Sequence, residues 1–224
     1  MTTIKCATAI AMTLGLFCGA AQADATPKPW RDAVTSFAAE HFKNPAWGFS
    51  HSQRDYHLAR ELAAADHVAL DDDVIFAAAY LHDMGAFAPW AEDKKEHGDV
   101  AAEKIDLVLA DTDFPKAKLD AVRAACRTHM YNFTPVEPEA RYLHDADALD
   151  WLGAIGVARL LAFVDKKGGK PSGPDIIKGI KSNLTEASKG VMTPAGKARL
   201  PGLVAEENAY LDALARETQN FSEL

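Results

Sequence analysis

The spacing of apolar and polar positions is helical throughout this chain. Apolar residues recur at intervals of three and four, as in Leu58, Leu62 and Ala65. No stretch sustains the alternation of apolar and polar residues that is typical of a half-buried strand. We therefore predict an all-α fold, with helices near residues 30–42, 51–66, 72–83, 97–110, 116–130, 139–165, 174–187 and 203–217.

Proline and glycine mark the expected boundaries of these helices. The breaks fall at Pro45, 85–89, Pro115, 135–138 and 168–174. The glycine-rich stretch 168–174 is not a phosphate loop, because it follows no predicted strand and lacks the Gly-Lys-Ser/Thr ending. We see no internal repeat, so residues 24–224 are expected to form a single helical domain.

The first 23 residues have the features of a secretory signal peptide. Lys5 precedes an apolar run that ends near Ala20, and Ala21-Gln22-Ala23 supplies an A-x-A cleavage site. The run is shorter than the roughly 20 apolar residues that span a membrane. A lipoprotein site at Cys18 is disfavoured by the bulky Phe17 before it. We expect a periplasmic or secreted protein with no stable membrane insertion after cleavage.

Composition and charge narrow the classes of function. With 24 Lys and Arg against 32 Asp and Glu, the chain has a net charge of −8, and such a surface repels nucleic acid. We therefore expect a small-molecule substrate and no nucleic-acid partner. Of the three cysteines, Cys126 alone lies outside the signal segment, so no internal disulfide is expected. Stability must come from the core or from a bound metal.

Four of the eight histidines fall on predicted apolar faces: His51, His82, His97 and His129. A buried imidazole needs a partner, because desolvating an unpaired polar group costs about 1–3 kcal/mol. A single such histidine is more often hydrogen-bonded in the core than bound to metal. Four of them with carboxylates nearby favour a metal site instead. His57 lies among polar residues and is expected to face solvent.

Acidic residues lie at the end of one apolar predicted helix and within another. His82 and Asp83 end the first of them, and both could reach one ion only if it lay off the end of that helix. Asp145, Asp147 and Asp150 lie in the second, where a buried carboxylate is costly unless it is paired or coordinated. Periodicity does not choose between Asp145 and Asp147, because both have apolar neighbours four residues on.

Together these residues resemble the HD superfamily of metal-dependent hydrolases, whose signature is H…HD…D. His51 opens a helix, His82-Asp83 closes the next one after a spacing of 31 residues, and Asp147-Ala148-Leu149-Asp150 lies on a later helix. The segment 145–159 is also similar to small bacterial HD phosphohydrolases and pyrophosphatases. The resemblance runs from His51 to the C-terminus and implies an HD-type helical bundle.

The resemblance implies four ligands of a divalent ion: His51, His82, Asp83 and Asp147. Asp147 is preferred because the family ligand begins a D-x-x-D step, and Asp145 remains the alternative. His97 and His129 match positions that supply a second ion in two-metal members of the superfamily. Mixed nitrogen and oxygen ligands suit Mn, Fe, Co, Ni or Zn, so we expect one or two such ions.

The chain departs from the family pattern at two positions. Ala86 and Ala148 stand where many members have a cation that can hold phosphate. Phosphate binding would then fall to one of four other cations: Arg54, Arg159, Lys94 or Lys95. The stretch from Met84 to Trp90 indicates an apolar wall beside the metal.

The leading hypothesis is a periplasmic metal-dependent hydrolase that cleaves a small phosphoester or pyrophosphate with metal-activated water. Asp150 and Asp145 are candidates to orient the water or move its proton, and Arg54 is a candidate to hold the substrate. One alternative is a di-iron oxygenase of the HD fold, which the apolar wall would suit. Another is a non-catalytic periplasmic module that binds a metal or a ligand.

Overall fold

The computed structural model describes residues 28–162 and 173–224. This part of the chain contains ten α-helices and two short 3-10 helices, and its β-structure is confined to one isolated bridge between Lys28 and Thr112. The predicted all-α fold is confirmed. The predicted signal segment 1–23 and most of the glycine-rich stretch lie outside the described residues.

The helices follow the predicted order closely. They are α1 Trp30–His41, α2 Phe49–Ala65, α3 Asp72–Leu81, α4 His97–Lys104, α5 Asp106–Leu109, α6 Leu119–Arg127, α7 Pro138–Asp150, α8 Gly153–Leu161, α9 Gly173–Gly190 and α10 Pro194–Glu217. The 3-10 helices are Met84–Ala86 and Lys116–Lys118.

Helix α3 forms the centre of the core because it is apolar around its whole circumference. Every residue from Val74 to Leu81 is buried, and the helix packs against α1, α2, α6 and α7. Its N-terminus is capped by the Asp71 side chain, which accepts hydrogen bonds from the backbone N–H groups of Asp73 and Val74. Because the helix is buried from Val74 to Leu81, the residues that follow it, His82 and Asp83, lie in the interior of the bundle.

Two predicted boundaries are wrong. The helix predicted over 139–165 is broken between α7 and α8, where Leu152 is extended and Gly153 has a φ of 66°, a value that favours glycine. The last helix begins at Pro194 instead of near residue 203. Thr193 caps it by accepting from the Gly196 N–H, and Pro194 fits the first helical turn. Pro201 is tolerated inside the helix.

The C-terminal helices cover the bundle. Val157, Ile180 and Leu211 bring α8, α9 and α10 together in a second, smaller apolar cluster. Helix α10 also packs against α2, α7 and α8. Across the described residues, none of the helices combines the length and the hydrophobicity needed to cross a membrane.

Candidate metal centre

Three buried imidazoles are oriented so that their Nε2 atoms face the interior of the bundle. The Nδ1–H of His51 donates to Asp150 at 2.8 Å. The Nδ1–H groups of His82 and His129 donate to backbone carbonyls, those of Ala79 at 2.9 Å and Cys126 at 2.7 Å. With Nδ1 committed in this way, each ring presents an Nε2 lone pair, the form in which histidine binds metals.

Five donors from three segments converge in what we name the first donor group. It comprises Nε2 of His51 and His82 with one carboxylate oxygen each from Asp55, Asp83 and Asp147. The Nε2 of His51 lies 3.3 Å from the Nε2 of His82 and 3.3 Å from the Oδ1 of Asp147. It lies 3.6 Å from the Oδ2 of Asp83.

A second donor group adjoins the first through the Asp83 carboxylate. Its Oδ1 atom lies 3.2 Å from the Nε2 of His97 and 3.7 Å from the Nε2 of His129, and the two imidazole nitrogens are 3.0 Å apart. Asp83 therefore turns one oxygen to each group. The structure brings together all six residues that the sequence proposed as metal ligands.

Two glycines allow His97 to reach this position. A Cβ atom on Gly85 would lie 2.2 Å from the carbonyl oxygen of His97, and one on Gly98 would lie 2.5 Å from that of Cys126. Any side chain at either position would push α4 away from the segments that carry Asp83 and His129. The close approach of backbones thus builds the second donor group.

The donor set fits a divalent transition metal. The Nε2 lone pairs of His51 and His82 face each other at 3.3 Å, an arrangement that is unfavourable without a positive charge between them. Among the described residues, both carboxylate oxygens of Asp55 and the Oδ2 of Asp147 are buried without a hydrogen-bond partner. A cation in the first donor group would supply the positive charge that these atoms lack, and mixed nitrogen and oxygen donors suit Mn, Fe, Co, Ni or Zn.

The electrostatics of the site keep Asp83 ionised. Burial alone would raise the pKa of Asp83, but the neighbouring His82 and His97 outweigh it and hold this pKa well below its usual value. Burial lowers the pKa of His129 to about 4. His129 is therefore neutral at pH 7, as a metal ligand must be.

Asp150 lies behind His51, on the side of the ring away from the donor groups. Its carboxylate accepts from the His51 Nδ1–H, from Arg54 at 2.7 and 2.9 Å, and from Arg159 at 2.8 Å. Arg159 is itself 2% exposed, donates to the Ala46 carbonyl and stacks 3.5 Å from the centre of the Trp151 ring. This arrangement is that of an outer carboxylate that orients a metal ligand.

Asp145 is not brought to the centre. Its side chain accepts from the backbone N–H groups of Met192 and Thr193, from the Thr193 hydroxyl at 2.6 Å, and from His144 at 3.0 Å. Asp147, two residues on, faces His51 instead. Of the two aspartates that periodicity left open, the structure brings only Asp147 to the donor groups, and Asp145 anchors the segment before α10.

Asp55 is a member of the first donor group that the sequence analysis missed. Its Oδ2 lies 3.2 Å from the Nε2 of His51 and 3.7 Å from that of His82, and the residue is 0% exposed. Burial and the negative charges of Asp150 and Asp147 raise its pKa well above the usual value. The available signal was its position four residues after His51, on the same face of α2.

A cavity of about 330 Å³ opens onto the donor groups. Asp83, His97 and Asp147 form its polar floor, and the rest of its described lining is aromatic, apolar or amide: Trp47, Ala86, Met130, Tyr131, Trp151, Leu160 and Asn183. None of the described lining residues is a lysine or an arginine. The cavity thus offers an apolar pocket next to a strongly polar floor, which is the usual form of a small-molecule site.

The four cations proposed for phosphate binding do not line this cavity. Arg54 and Arg159 both donate to Asp150. Lys95 forms ion pairs with Glu92 and Glu103, and Lys94 is exposed. Within the described residues, the donor groups are therefore the part of the cavity where a cation, once bound, could attract an anionic substrate.

Known proteins agree with this architecture. The family model of the HD domain matches residues 48–152, a segment that contains both donor groups and Asp150. No curated protein sequence matches the chain. Among solved structures, an HD-superfamily hydrolase from Bacillus thuringiensis is similar, with 19% identity and a TM-score of 0.59 over 84% of this chain and 95% of that one.

Two further solved structures are similar to nearly the same extent. A predicted HD-superfamily hydrolase from an uncultured Thermotogales bacterium has 22% identity and a TM-score of 0.60 over 84% of this chain and 93% of its own. Bacillus subtilis YpgQ in complex with ADP has 18% identity and a TM-score of 0.63 over 86% of this chain and 96% of its own. These likenesses show the fold, and the family match covers the signature residues themselves. Residues 48–152 thus match the HD domain, and the fold is the one found in solved HD-superfamily hydrolases.

Proposed function

We propose that this protein is a metal-dependent hydrolase that cleaves a small phosphoester or pyrophosphate. The observation that carries the proposal is the position of Asp83, whose two carboxylate oxygens face two groups of imidazole donors at the floor of a cavity. His51, His82, Asp83 and Asp147 would hold one ion. His97 and His129, with the other oxygen of Asp83, would hold a second where two are bound.

The bound ion would supply a Lewis acid that polarises the substrate oxygen and lowers the pKa of water from about 15.7 towards neutrality. The protein's own contribution is to fix the donors. Asp150 holds the Nδ1–H of His51, so the imidazole keeps the tautomer and the orientation in which Nε2 faces the centre. Arg54 and Arg159 neutralise Asp150 and keep its charge out of the cavity.

The cavity lining bears on the substrate class. Trp47, Tyr131 and Trp151 present large aromatic surfaces beside the polar floor, where an apolar or aromatic organic group can pack. Bacillus subtilis YpgQ, of the same fold, binds ADP, which has an aromatic base and a pyrophosphate. We therefore propose substrates in which a phosphoester or pyrophosphate is joined to such a group.

The location of the protein is part of the proposal. A cleaved signal peptide over residues 1–23 would place the enzyme in the periplasm or outside the cell. Sequencing the N-terminus of the exported protein should give Asp24 as its first residue. A protein that stays in the cytoplasm with residues 1–23 attached would contradict this part of the proposal.

The proposed activity can be tested by metal analysis and turnover on the same samples. The purified chain should retain one or two transition-metal ions and hydrolyse members of a panel of phosphoesters, nucleotides and pyrophosphates when Mn²⁺, Fe²⁺ or Zn²⁺ is added. His82→Ala and Asp83→Ala should lose both the metal and the activity. His57→Ala, which changes an exposed histidine outside the centre, should keep both.

Two other outcomes are informative. The apolar lining of the cavity also suits a di-iron oxygenase, which would bind two irons per chain and consume O₂ without hydrolysing the panel. Full metal occupancy with neither reaction would indicate a non-catalytic metal-binding module. Full metal occupancy in both His82→Ala and Asp83→Ala would reject the proposed ligands.

A further inference from the structure

Asp55 is a buried carboxylate for which the described structure offers no hydrogen-bond donor. The residue is 0% exposed, and neither of its oxygens has a hydrogen-bond partner among the described residues. Nearby cations are directed elsewhere, since Arg54 and Arg159 both donate to Asp150. Because an unpaired buried carboxylate is costly, Asp55 can be ionised in this position only with a positive charge nearby.

The direction of the Asp55 side chain identifies where that charge would lie. Its Oδ2 lies 3.2 Å from the Nε2 of His51 and 3.7 Å from the Nε2 of His82. These two imidazole nitrogens, the Asp55 carboxylate and that of Asp147 all lie within 4.8 Å of one another. Asp55 is therefore aimed at the same point as the signature residues of the HD domain.

The local geometry of α2 explains how one helix supplies two of these donors. Asp55 follows His51 by four residues, so both side chains lie on the same face of the helix, one turn apart. Asp55 is not among the residues that line the cavity, whereas Asp83 and Asp147 are. It approaches the first donor group from within the core and leaves the cavity side to the substrate.

We infer that Asp55 is a fifth ligand of the metal in the first donor group, additional to the four residues of the H…HD…D signature. The inference rests on the proposed function in one respect, since it requires an ion in that group. The set would then contain two nitrogens and three carboxylates, a composition that favours Mn²⁺ or Fe²⁺ over Zn²⁺. Zinc is commonly satisfied by four ligands, so it should depend less on Asp55.

The test compares Asp55→Asn with Asp145→Asn, a matched change at a second buried aspartate that lies outside the donor groups. Affinities for Mn²⁺ and Zn²⁺ are measured by competition with a chelator, and melting temperatures are measured with and without metal. The optical spectrum of bound Co²⁺ reports its coordination number. None of these measurements depends on turnover.

We expect Asp55→Asn to weaken Mn²⁺ binding by about 100-fold or more, beyond the roughly 10–100-fold that outer-shell partners cost. Zn²⁺ binding should weaken less, and the Co²⁺ spectrum should intensify as the coordination number falls. Without metal, Asp55→Asn should melt near the wild-type temperature, because the carboxyl group that it replaces makes no hydrogen bond. Asp145→Asn should show the opposite pattern, with unchanged metal affinity and a lower melting temperature.

Three results would overturn the inference. Unchanged Mn²⁺ affinity in Asp55→Asn would show that Asp55 is not a ligand, and would leave the proposed hydrolase intact. A metal-free melting temperature that falls as far as in Asp145→Asn, with unchanged metal affinity, would assign Asp55 a structural role. A wild-type chain that binds neither Mn²⁺, Fe²⁺ nor Zn²⁺ would reject both proposals, whereas metal binding that depends on Asp55 without turnover would reject the hydrolase alone.

Discussion

His51 contacts its surroundings through both ring nitrogens, and the two contacts serve different ends. Its Nε2 belongs to the first donor group, while its Nδ1–H donates to Asp150 at 2.8 Å. Asp150 is fixed in turn by Arg54 and the buried Arg159. The sequence indicated Asp150 as a candidate to orient water, but its contacts suit a residue that acts through His51.

Asp150→Asn tests this positioning role. An amide accepts the His51 N–H more weakly and leaves the buried Arg159 without its charge partner. We expect metal affinity to fall about 10–100-fold, as for other outer-shell partners of metal ligands. The variant should also unfold more easily.

The measurement is metal affinity by chelator competition, together with kcat at saturating metal. Asp66→Asn is the control, because Asp66 accepts hydrogen bonds from Tyr142 and Ala195 outside the centre. A loss of kcat at saturating metal with unchanged affinity would instead return Asp150 to a direct role in catalysis.

At the scale of single residues, the sequence could identify a metal donor only where a side chain that can bind metal also lies on a predicted apolar face of a helix. His51, His82 and His129 lie on apolar stripes, and that was enough to predict burial. Asp145 and Asp147 have equivalent neighbours along the helix, so the choice between them depends on whether Thr193 or His51 lies opposite. These contacts are tertiary, so the local sequence does not show them. The family resemblance favoured Asp147 only because this residue begins a D-x-x-D step.

Among the elements, the junction of α7 and α8 depends on a contact with α10. The backbone N–H of Gly153 donates to Glu207 at 3.1 Å, and Glu207 is 0% exposed. A Cβ atom on Gly153 would lie 2.9 Å from the Leu203 side chain. The helix break could not be predicted from local periodicity, because the residues that require it lie about 50 positions further along the chain.

This junction should make stability depend on pH. Burial raises the pKa of Glu207 to about 7, whereas an unfolded glutamate titrates near about 4.3. Between these values the unfolded chain releases a proton that the folded chain retains, so the free energy of unfolding falls as the pH rises. The loss is complete above about pH 7 and amounts to at most about 4 kcal/mol, at 1.36 kcal/mol per pKa unit.

Glu207→Gln should remove the contribution of Glu207 to the pH dependence of stability. Urea unfolding at pH 5 and pH 8 should show a smaller loss of stability in the variant than in the wild type, because glutamine does not titrate and can still accept from Gly153. Glu206→Gln, at the exposed neighbouring position, is the control and should behave as wild type. Equal losses in wild type and Glu207→Gln would contradict the assignment.

For the molecule as a whole, the sequence predicted the elements more reliably than the space between them. Proline, glycine and helical periodicity placed most of the helices of the described structure. The cavity could not be predicted from the sequence, because its lining residues come from separate segments and meet only once the bundle is packed. They include Trp47, Tyr131, Trp151 and Asn183. The apolar side of the cavity is not the wall that the sequence indicated, because Ala86 alone of the stretch from Met84 to Trp90 lines the cavity.

Removal of the metal should affect the entire fold, because the donor groups draw on five different segments. They are α2, the C-terminal end of α3, the N-terminus of α4, the residues after α6, and α7. An ion held at about 1,000 times its dissociation constant stabilises the folded state by about 4 kcal/mol. In a domain of this size, each kcal/mol shifts the melting temperature by roughly 2–4 °C.

We therefore expect a chelator to lower the melting temperature by roughly 8–16 °C and added Mn²⁺ to restore it. His57→Ala should respond as wild type, whereas His82→Ala should melt at the same temperature with and without metal. Identical melting of the chelated and the metal-loaded wild type would mean that the donor groups hold no ion. The facing imidazoles would then have to share protons, and the buried carboxylates of Asp55 and Asp147 would be left to the protein alone, an arrangement that burial makes costly.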